Sequence, residues 1–288
     1  MPDLPEPPHE RGDVDRFRGE IARSSPSKRR RALKKFFLAA LGSIPWVGGF
    51  LSAAADIAMG DHEAEADSLQ SEWLEEHQEK IGRLYDTLEA VSARFEKLGE
   101  DVEERIQSNE YLDLVRRAFR AWDRADTDDK RHYVANLITN AAGARITSDD
   151  VIRLFIDWLD TYHEAHFAVI QQIYQNPRIS RYDIWDAIHG EFPREDSAEA
   201  DLFRLLIHDL SVGRVIRQAR ETTLDGKFLR KARTKRRGPA PTTMESAFEE
   251  AKPYVLTGLG EQFVHYTMTE IVPRISGPQE EGGPEGSA

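Results

Sequence analysis

The chain has 288 residues, a formal net charge of -12 at pH 7, and 40% hydrophobic and 31% charged residues. This composition is typical of a globular protein with a highly charged surface, and the length favours two structural units over one. The chain has no cysteine, which excludes disulfide bonds, thiolate nucleophiles and cysteine-based zinc sites. The negative charge argues against general binding to nucleic acid, although Lys28 to Lys35 and Lys227 to Arg237 are strongly basic.

Both ends of the chain have compositions that cannot bury much apolar surface. Residues 1–27 are rich in Pro, Glu, Asp, Arg and Ser, and residues 273–288 are rich in Gly, Glu and Pro. We therefore expect both segments to be disordered.

Residues 36–59 form an apolar stretch, FFLAALGSIPWVGGFLSAAADIAM, with no charge before Asp56. Pro45 and the glycines at 48 and 49 disfavour one continuous helix, so a hairpin of two short helices is predicted. Such a hairpin can enter one leaflet of a membrane while the preceding cations contact anionic head groups. The predicted membrane-contacting residues are Lys28, Arg29, Arg30, Arg31, Phe36, Phe37, Leu38, Leu41, Pro45, Trp46, Val47, Gly48, Gly49, Phe50 and Leu51.

The same stretch has two other interpretations. The hairpin can be the buried core of a helical bundle, and burial at rest is compatible with exposure on activation. It can also be an export signal, because Arg30 and Arg31 precede it, but the long segment ahead of them is atypical of a signal peptide.

Apolar residues recur at steps of three and four from Leu74 to Val102, with His77 at the one polar seam position, which predicts one long helix over about residues 64–107. This heptad seam can bind a partner helix, giving self-association or binding to another protein, or it can fold back on its own chain. The pattern does not distinguish between these outcomes. The seam residues are Ile81, Leu84, Leu88, Val91, Phe95 and Leu98.

Further helical periodicity follows from Tyr111 to Ala142, interrupted by the acidic run 126–129. We expect the carboxylates of that run to cap a new helix, because they can accept the unpaired N–H groups of a first turn. The sequence Ser148-Asp149-Asp150 predicts another helix from Val151 to Tyr162. Residues 28–162 are therefore predicted to form a helical bundle.

The pattern changes over residues 163–272. A helix over 165–174 ends at Asn176-Pro177, Ser180 precedes a short helix over 182–188, and Ser197 precedes a third helix. Next comes a segment over 215–218 that is predicted to alternate between buried and exposed positions as in a strand. It is followed by a charged loop with Asp225-Gly226, a second strand, and a terminal helix over 258–269. This order resembles the winged-helix family over residues 165–270, and YVLTGLGEQFVHY is similar to the end of many such domains.

The resemblance implies a mainly helical domain with a small β wing. In DNA-binding relatives the third helix enters the major groove and wing cations contact phosphates. Here Glu199, Asp201 and Asp209 on the third helix disfavour that role, so protein contact is slightly favoured over nucleic acid. The predicted nucleic-acid or partner contacts are Arg204, His208, Lys227, Arg230, Lys231, Arg233, Lys235, Arg236 and Arg237.

Residues Glu110 to Ala142, with the run KRHYVANLITNAAG, resemble bacterial abortive-infection proteins of the alpha type. The basic run, apolar hairpin and heptad helix together look like helical membrane-active effectors. These resemblances imply a part in defence against phage through damage to the host membrane, in the cytoplasm and at the inner membrane.

The sequence has no motif typical of an enzyme. His163 and His166 are three residues apart, whereas the zinc-protease motif needs two histidines four apart on one helix face. We found no phosphate-binding loop, dinucleotide fingerprint or nucleophile elbow, and Arg124 and His132 are too far apart for the helical ribonucleases of prokaryotic defence. We therefore expect a non-enzymatic conditional effector without metal or cofactor. The alternatives are a dimeric winged-helix transcription regulator and a helical scaffold or adaptor.

Overall fold

The structure is a computed structural model, and it describes residues 28–47, 64–98, 102–144, 146–221, 223, 225, 227–229 and 245–268. The described chain is mainly helical, as the sequence predicts. It divides into two compact units, an N-terminal unit that ends at Asp160 and a C-terminal unit from Thr161 to Thr269.

Helices alone make up the described N-terminal unit. Helix α1 packs on α3 and α4, helix α2 packs on α5, and α4 also packs on α5. The helices are α1 (Lys28–Leu41), α2 (Ala64–Leu98), α3 (Glu103–Gln107), α4 (Asn109–Arg124), α5 (Asp128–Gly143) and α6 (Asp149–Thr161).

The first part of the apolar stretch lies in the core of this bundle. Phe36 is completely buried, and its ring lies edge-on to Phe95 of α2 and Phe119 of α4, with centroid distances of 5.2 and 6.0 Å. The small side chains of Ala32 and Ala40 are also buried on α1. The basic run from Lys28 forms the first turns of this helix, and residues 48–59 of the predicted hairpin lie outside the described residues.

The heptad helix is shorter than predicted. It ends at Leu98, and residues 103–107 form the separate helix α3, so the prediction of one helix over 64–107 is wrong in its last part. Glycine follows at position 99, and this residue disfavours continuation of a helix. The buried seam residues Leu84, Leu88 and Val91 lie on a helix that packs against α5 of the same chain.

Local capping determines where α4 and α5 begin. The side chain of Ser108 accepts from the backbone N–H of Tyr111, and the side chain of Thr127 accepts from that of Lys130. The capping group of the run 126–129 is therefore a hydroxyl, and not a carboxylate as the sequence analysis expected. Asp128 and Asp129 occupy the first turn of α5, where their negative charges interact favourably with the unpaired N–H groups of the helix end.

The C-terminal unit combines helices with a small antiparallel sheet. Its elements are α7 (Glu164–Gln175), α8 (Arg181–His189), α9 (Ala198–Val212), β1 (Ile216–Gln218), β2 (Tyr254–Leu256) and α10 (Gly258–Thr267). Ile216 pairs with Leu256, and Ile179 forms a single bridge with Tyr254. The predicted caps at Ser180 and Ser197 are confirmed, because each side chain accepts from a backbone N–H three residues later.

An aromatic cluster fills the space between α8 and α9. Trp185 contacts Phe203 and Phe248, with ring centroids 5.2 and 5.1 Å away. Phe248 belongs to the segment that leads into β2, so the chain after the loop covers this side of α8 and α9. On the other side of the unit, the helix start at Gly260 lies directly against the backbone of Val215.

Candidate docking surface

The exposed face of α9 is the main candidate site in the C-terminal unit. Leu202 and Leu205 are each 52% exposed, and Val212 is 66% exposed. These positions are three and seven residues apart, so the three side chains share one side of the helix. Single exposed leucines are ordinary, but a group of them on one face is typical of an interaction surface.

A groove of about 700 Å³ lies beside this face, between α9 and the start of α7. Its lining is mostly apolar and includes no lysine or arginine. The lining residues are Thr161, Tyr162, His163, Ala165, His166, Leu202, Leu205, Leu206, His208, Asp209 and Val212.

His166 forms a buried polar part of the groove wall. Its Nδ1 accepts from the backbone N–H of His163 at 3.1 Å, so the neutral ring carries its proton on Nε2. Nε2 is buried without a hydrogen-bond partner and lies 3.7 Å from Oδ2 of Asp209. The ring also stacks on Tyr162 with a centroid distance of 5.0 Å. The groove wall therefore holds one unfilled donor beside a carboxylate.

Burial changes the acidity of both aromatic rings in this wall. It lowers the pKa of His166, and the nearby carboxylate of Asp209 opposes that effect without reversing it. Burial also raises the pKa of Tyr162 to about 12, and Asp209 acts in the same direction there. At neutral pH the rings of His166 and Tyr162 are therefore both neutral.

Both helices that form the groove carry exposed acidic side chains. Glu199 and Asp201 lie exposed on α9, and Glu164 lies exposed at the start of α7. The side chain of Asp209 is 41% exposed, so its charge is accessible from solvent. A negatively charged ligand such as a phosphate backbone is therefore disfavoured at this face.

Arg204, one of the predicted contact residues, takes part in ion pairs within the unit. Its guanidinium pairs with Glu195 and with Asp201, and Nη1 also donates to the backbone oxygen of Glu195 at 3.0 Å. Glu195 in turn accepts from the hydroxyl of Ser246 and from the N–H of Ala247. Arg204 thus connects α9 to the segment before β2, and a phosphate would have to compete with these carboxylates.

The other predicted contacts of this unit are only partly described. His208 is exposed and lines the groove, and Lys227 is exposed in the loop. The loop turns back there, because Leu229 donates to Glu221 at 2.9 Å. The remaining predicted cations lie outside the described residues: Arg230, Lys231, Arg233, Lys235, Arg236 and Arg237.

The predicted membrane contacts divide between core and surface. Phe36, Phe37 and Val47 are buried, Leu41 is partly exposed, and Arg31, Leu38 and Pro45 are exposed. Trp46 is partly exposed and donates from Nε1 to Asp123 at 2.6 Å. Gly48, Gly49, Phe50 and Leu51 lie outside the described residues, as do the side chains of Lys28, Arg29 and Arg30. Within the described ranges, no helix is both long enough and apolar enough to cross a membrane.

The exposed apolar face of α9 and the pair of His166 with Asp209 were not predicted from the sequence. The apolar residues Leu202, Leu205, Leu206 and Leu210 follow one another at helical spacing, although only the latter two are buried. A signal was present, because apolar residues occupy more of α9 than a single core-facing stripe needs. Because His166 and Asp209 are 43 positions apart, no local sequence pattern indicates that they pair.

Comparisons of the chain with known protein families, with curated proteins and with solved structures each found no match. Over the described part of the chain, no three metal-ligating side chains lie close enough together to hold an ion.

Proposed function

We propose that this protein is a non-enzymatic adaptor whose C-terminal unit is a winged-helix module that binds another protein through the exposed face of α9. The order of elements supports the winged-helix assignment. Three helices precede β1, a long connection separates β1 from β2, and the bridge between Ile179 and Tyr254 adds a third short piece to the sheet.

The observation that carries the proposal is the character of α9, the third helix of the unit. A helix that reads the major groove carries polar and basic side chains on its outer face. The outer face of α9 instead presents Leu202, Leu205 and Val212, with Glu199 and Asp201 close by. An apolar face with carboxylates beside it suits a protein surface better than DNA.

Site-specific photocrosslinking in the native host cell tests this proposal. A benzophenone amino acid at position 205 should form a specific crosslink to another protein, and the same group at position 154 should not, because exposed Leu154 lies in the N-terminal unit. The captured protein, once purified, should bind the wild-type chain and lose affinity for the variant Leu205→Glu. Equal crosslinking from both positions would contradict the proposal.

Duplex DNA provides the opposing measurement. Fluorescence anisotropy of the full chain with duplex DNA should show no binding that weakens steeply with salt, because counterion release accompanies phosphate contacts. A steep salt dependence that disappears when the loop cations are replaced would overturn the proposal in favour of a transcription regulator.

A second function is proposed for the N-terminal unit on a separate observation. Arg31, Lys34, Lys35 and Leu38 are exposed on α1, and their spacing of three, four and seven residues places them on one face. Leu38 is 62% exposed beside these cations. Such a face suits contact with anionic head groups. In this proposal the protein is a conditional effector of phage defence that works in the cytoplasm, at the inner membrane.

Insertion of the apolar side of α1 into the membrane would require this helix to leave the bundle, because Phe36 is buried between α2 and α4. Vesicle flotation tests the contact itself. The full chain should float with vesicles that contain phosphatidylglycerol and not with pure phosphatidylcholine, and Leu38→Asp should reduce flotation while Leu154→Asp should not. Expression of the chain should also be toxic to the cell when the effector is active. If the chain attaches to no vesicle composition and its expression is never toxic, the N-terminal unit is structural only.

A further inference from the structure

We infer that the groove beside α9 binds a basic amphipathic helix of a partner protein, with Lys or Arg of that helix paired to Asp209. The inference rests on the proposed docking function and specifies the chemistry of the partner. It joins three independent features of the groove: the spacing of the apolar side chains on α9, the sign of the surrounding charge, and the unfilled donor of His166.

The spacing on α9 matches that of a helix that packs along another helix. Leu202, Leu205, Asp209 and Val212 follow one another at steps of three, four and three residues. This is the seam of a coiled coil, in which each apolar side chain fits between side chains of the facing helix. Asp209 occupies one seam position and therefore faces the partner directly.

A second copy of the same face does not satisfy this seam. In a parallel pair Asp209 would meet Asp209, and in an antiparallel pair it would meet Leu205 without a counter-charge. The parallel arrangement would also bring Glu199 and Asp201 of the two copies together, and like charges across an interface oppose association. Among the described residues no lysine or arginine lines the groove, so a cation of the partner helix is assigned the role of the counter-charge to Asp209.

His166 gives Asp209 a fixed role in this arrangement. The ring is only 5% exposed, and its Nδ1 is occupied by the backbone N–H of His163, so Nε2 is the donor that faces Asp209. At 3.7 Å the two atoms are just beyond hydrogen-bond distance. In the bound state a small rotation of Asp209 lets one oxygen accept from His166 while the other accepts from the partner's cation. The carboxylate is then satisfied on both sides after water has left the groove.

Two synthetic helical peptides test the inference with the full chain. Both carry leucines at heptad positions, and they differ only at the central seam position, which is Lys in one and Glu in the other. Isothermal titration calorimetry should detect binding of the Lys peptide, with the Glu peptide weaker by at least about tenfold. Asp209→Lys should reverse this preference, and Asp209→Asn should remove it. The second variant keeps the test possible if Asp209→Lys does not fold.

The matched apolar variants separate groove binding from general attraction between charges. Leu202→Ser should weaken binding of the Lys peptide, and Leu154→Ser, an exposed leucine of the other unit, should leave it unchanged. Equal affinity of the two peptides, or a preference that survives Asp209→Asn, would overturn the inference. Sedimentation that shows a dimer lost in Leu205→Ser would also overturn it, in favour of a second copy.

The failure of this inference is distinguishable from failure of the docking function. If neither peptide binds but crosslinking at position 205 still captures a specific protein, the partner chemistry assigned here is wrong and the adaptor proposal stands. If neither peptide binds and position 205 captures nothing, both proposals are wrong.

Discussion

The ring of Phe36 lies edge-on to the ring of Phe95, with 5.2 Å between their centroids, and this contact joins α1 to the heptad helix α2. Phe119 of α4 contacts Phe36 as well, at 6.0 Å. Edge-to-face pairs at these distances add to the free energy gained by burial alone. The beginning of the apolar stretch is thus part of the bundle core in this state.

Replacement of Phe36 is therefore expected to destabilise the protein strongly. Phe36→Ala should lower the free energy of unfolding by about 3–5 kcal/mol, because it leaves a cavity between three helices. Leu38→Ala, two residues later on the exposed side of α1, should change it by no more than about 0.5 kcal/mol. Urea unfolding followed by tryptophan fluorescence measures both. Equal effects of the two variants would place Phe36 outside the core.

Two glycines at the start of α10 should respond in opposite ways to the same change. A Cβ at position 260 would lie 2.1 Å from the backbone oxygen of Val215, whereas a Cβ at position 258 would have no neighbour within 4 Å. Gly260→Ala should thus destabilise the unit by pushing α10 away from Val215, the residue before β1. Gly258→Ala should stabilise it by up to about 1 kcal/mol, because alanine favours the helix and restricts the unfolded chain. Thermal unfolding should show the two shifts with opposite signs.

Features that depend on neighbouring residues were predictable from the sequence. Ser180 and Ser197 cap helices as predicted because the hydroxyl and the N–H that it accepts from are only three residues apart. Leu84 and Leu88 are buried as seam positions because their spacing fixes a common helix face. The end of α2 at Leu98 was missed, because a heptad pattern continues through residues that belong to the next helix.

Features that depend on distant residues were not predictable in the same way. The heptad pattern left open whether α2 binds its own chain, and packing on α5 is a tertiary result. Phe248 joins the cluster of Trp185 and Phe203 from the far side of the loop, with no local pattern to indicate it. The exposed apolar face of α9 was not predicted for a related reason, because apolar residues alone do not reveal which side of a helix the rest of the unit covers.

Glu195 and Asp196 are adjacent acidic residues with very different surroundings. Glu195 accepts from Ala247 and pairs with Arg204, whereas Asp196 pairs only with Arg194 at the surface among the described contacts. Glu195→Ala should lower the free energy of unfolding by about 1–3 kcal/mol, because it removes one ion pair of the partly buried Arg204 guanidinium and leaves the backbone N–H of Ala247 without its acceptor. Asp196→Ala should have a clearly smaller effect, because its ion pair with Arg194 is exposed and screened by solvent. Chemical denaturation gives both values.

Hydrogen exchange locates the effect of Glu195→Ala in the fold. The amide of Ala247 should exchange faster in this variant than in Asp196→Ala, because the bond to the Glu195 carboxylate holds the segment before β2 against α9. Unchanged protection of that amide would show that Phe248 and the aromatic cluster hold the segment without help from Glu195.

Stability should decrease in mild acid partly because of His166. Burial lowers the pKa of His166 in the folded protein, and the nearby carboxylate of Asp209 opposes this effect without reversing it, so the unfolded chain binds a proton more readily. As pH falls through about 6.5 the unfolded state takes up this proton first, and the free energy of unfolding decreases until the lowered pKa is passed. His166→Gln should therefore lose less stability than the wild type between about pH 7.5 and pH 5.5. NMR titration of the His166 ring gives the direct check, because a pKa at or above the ordinary histidine value would remove the basis of this expectation.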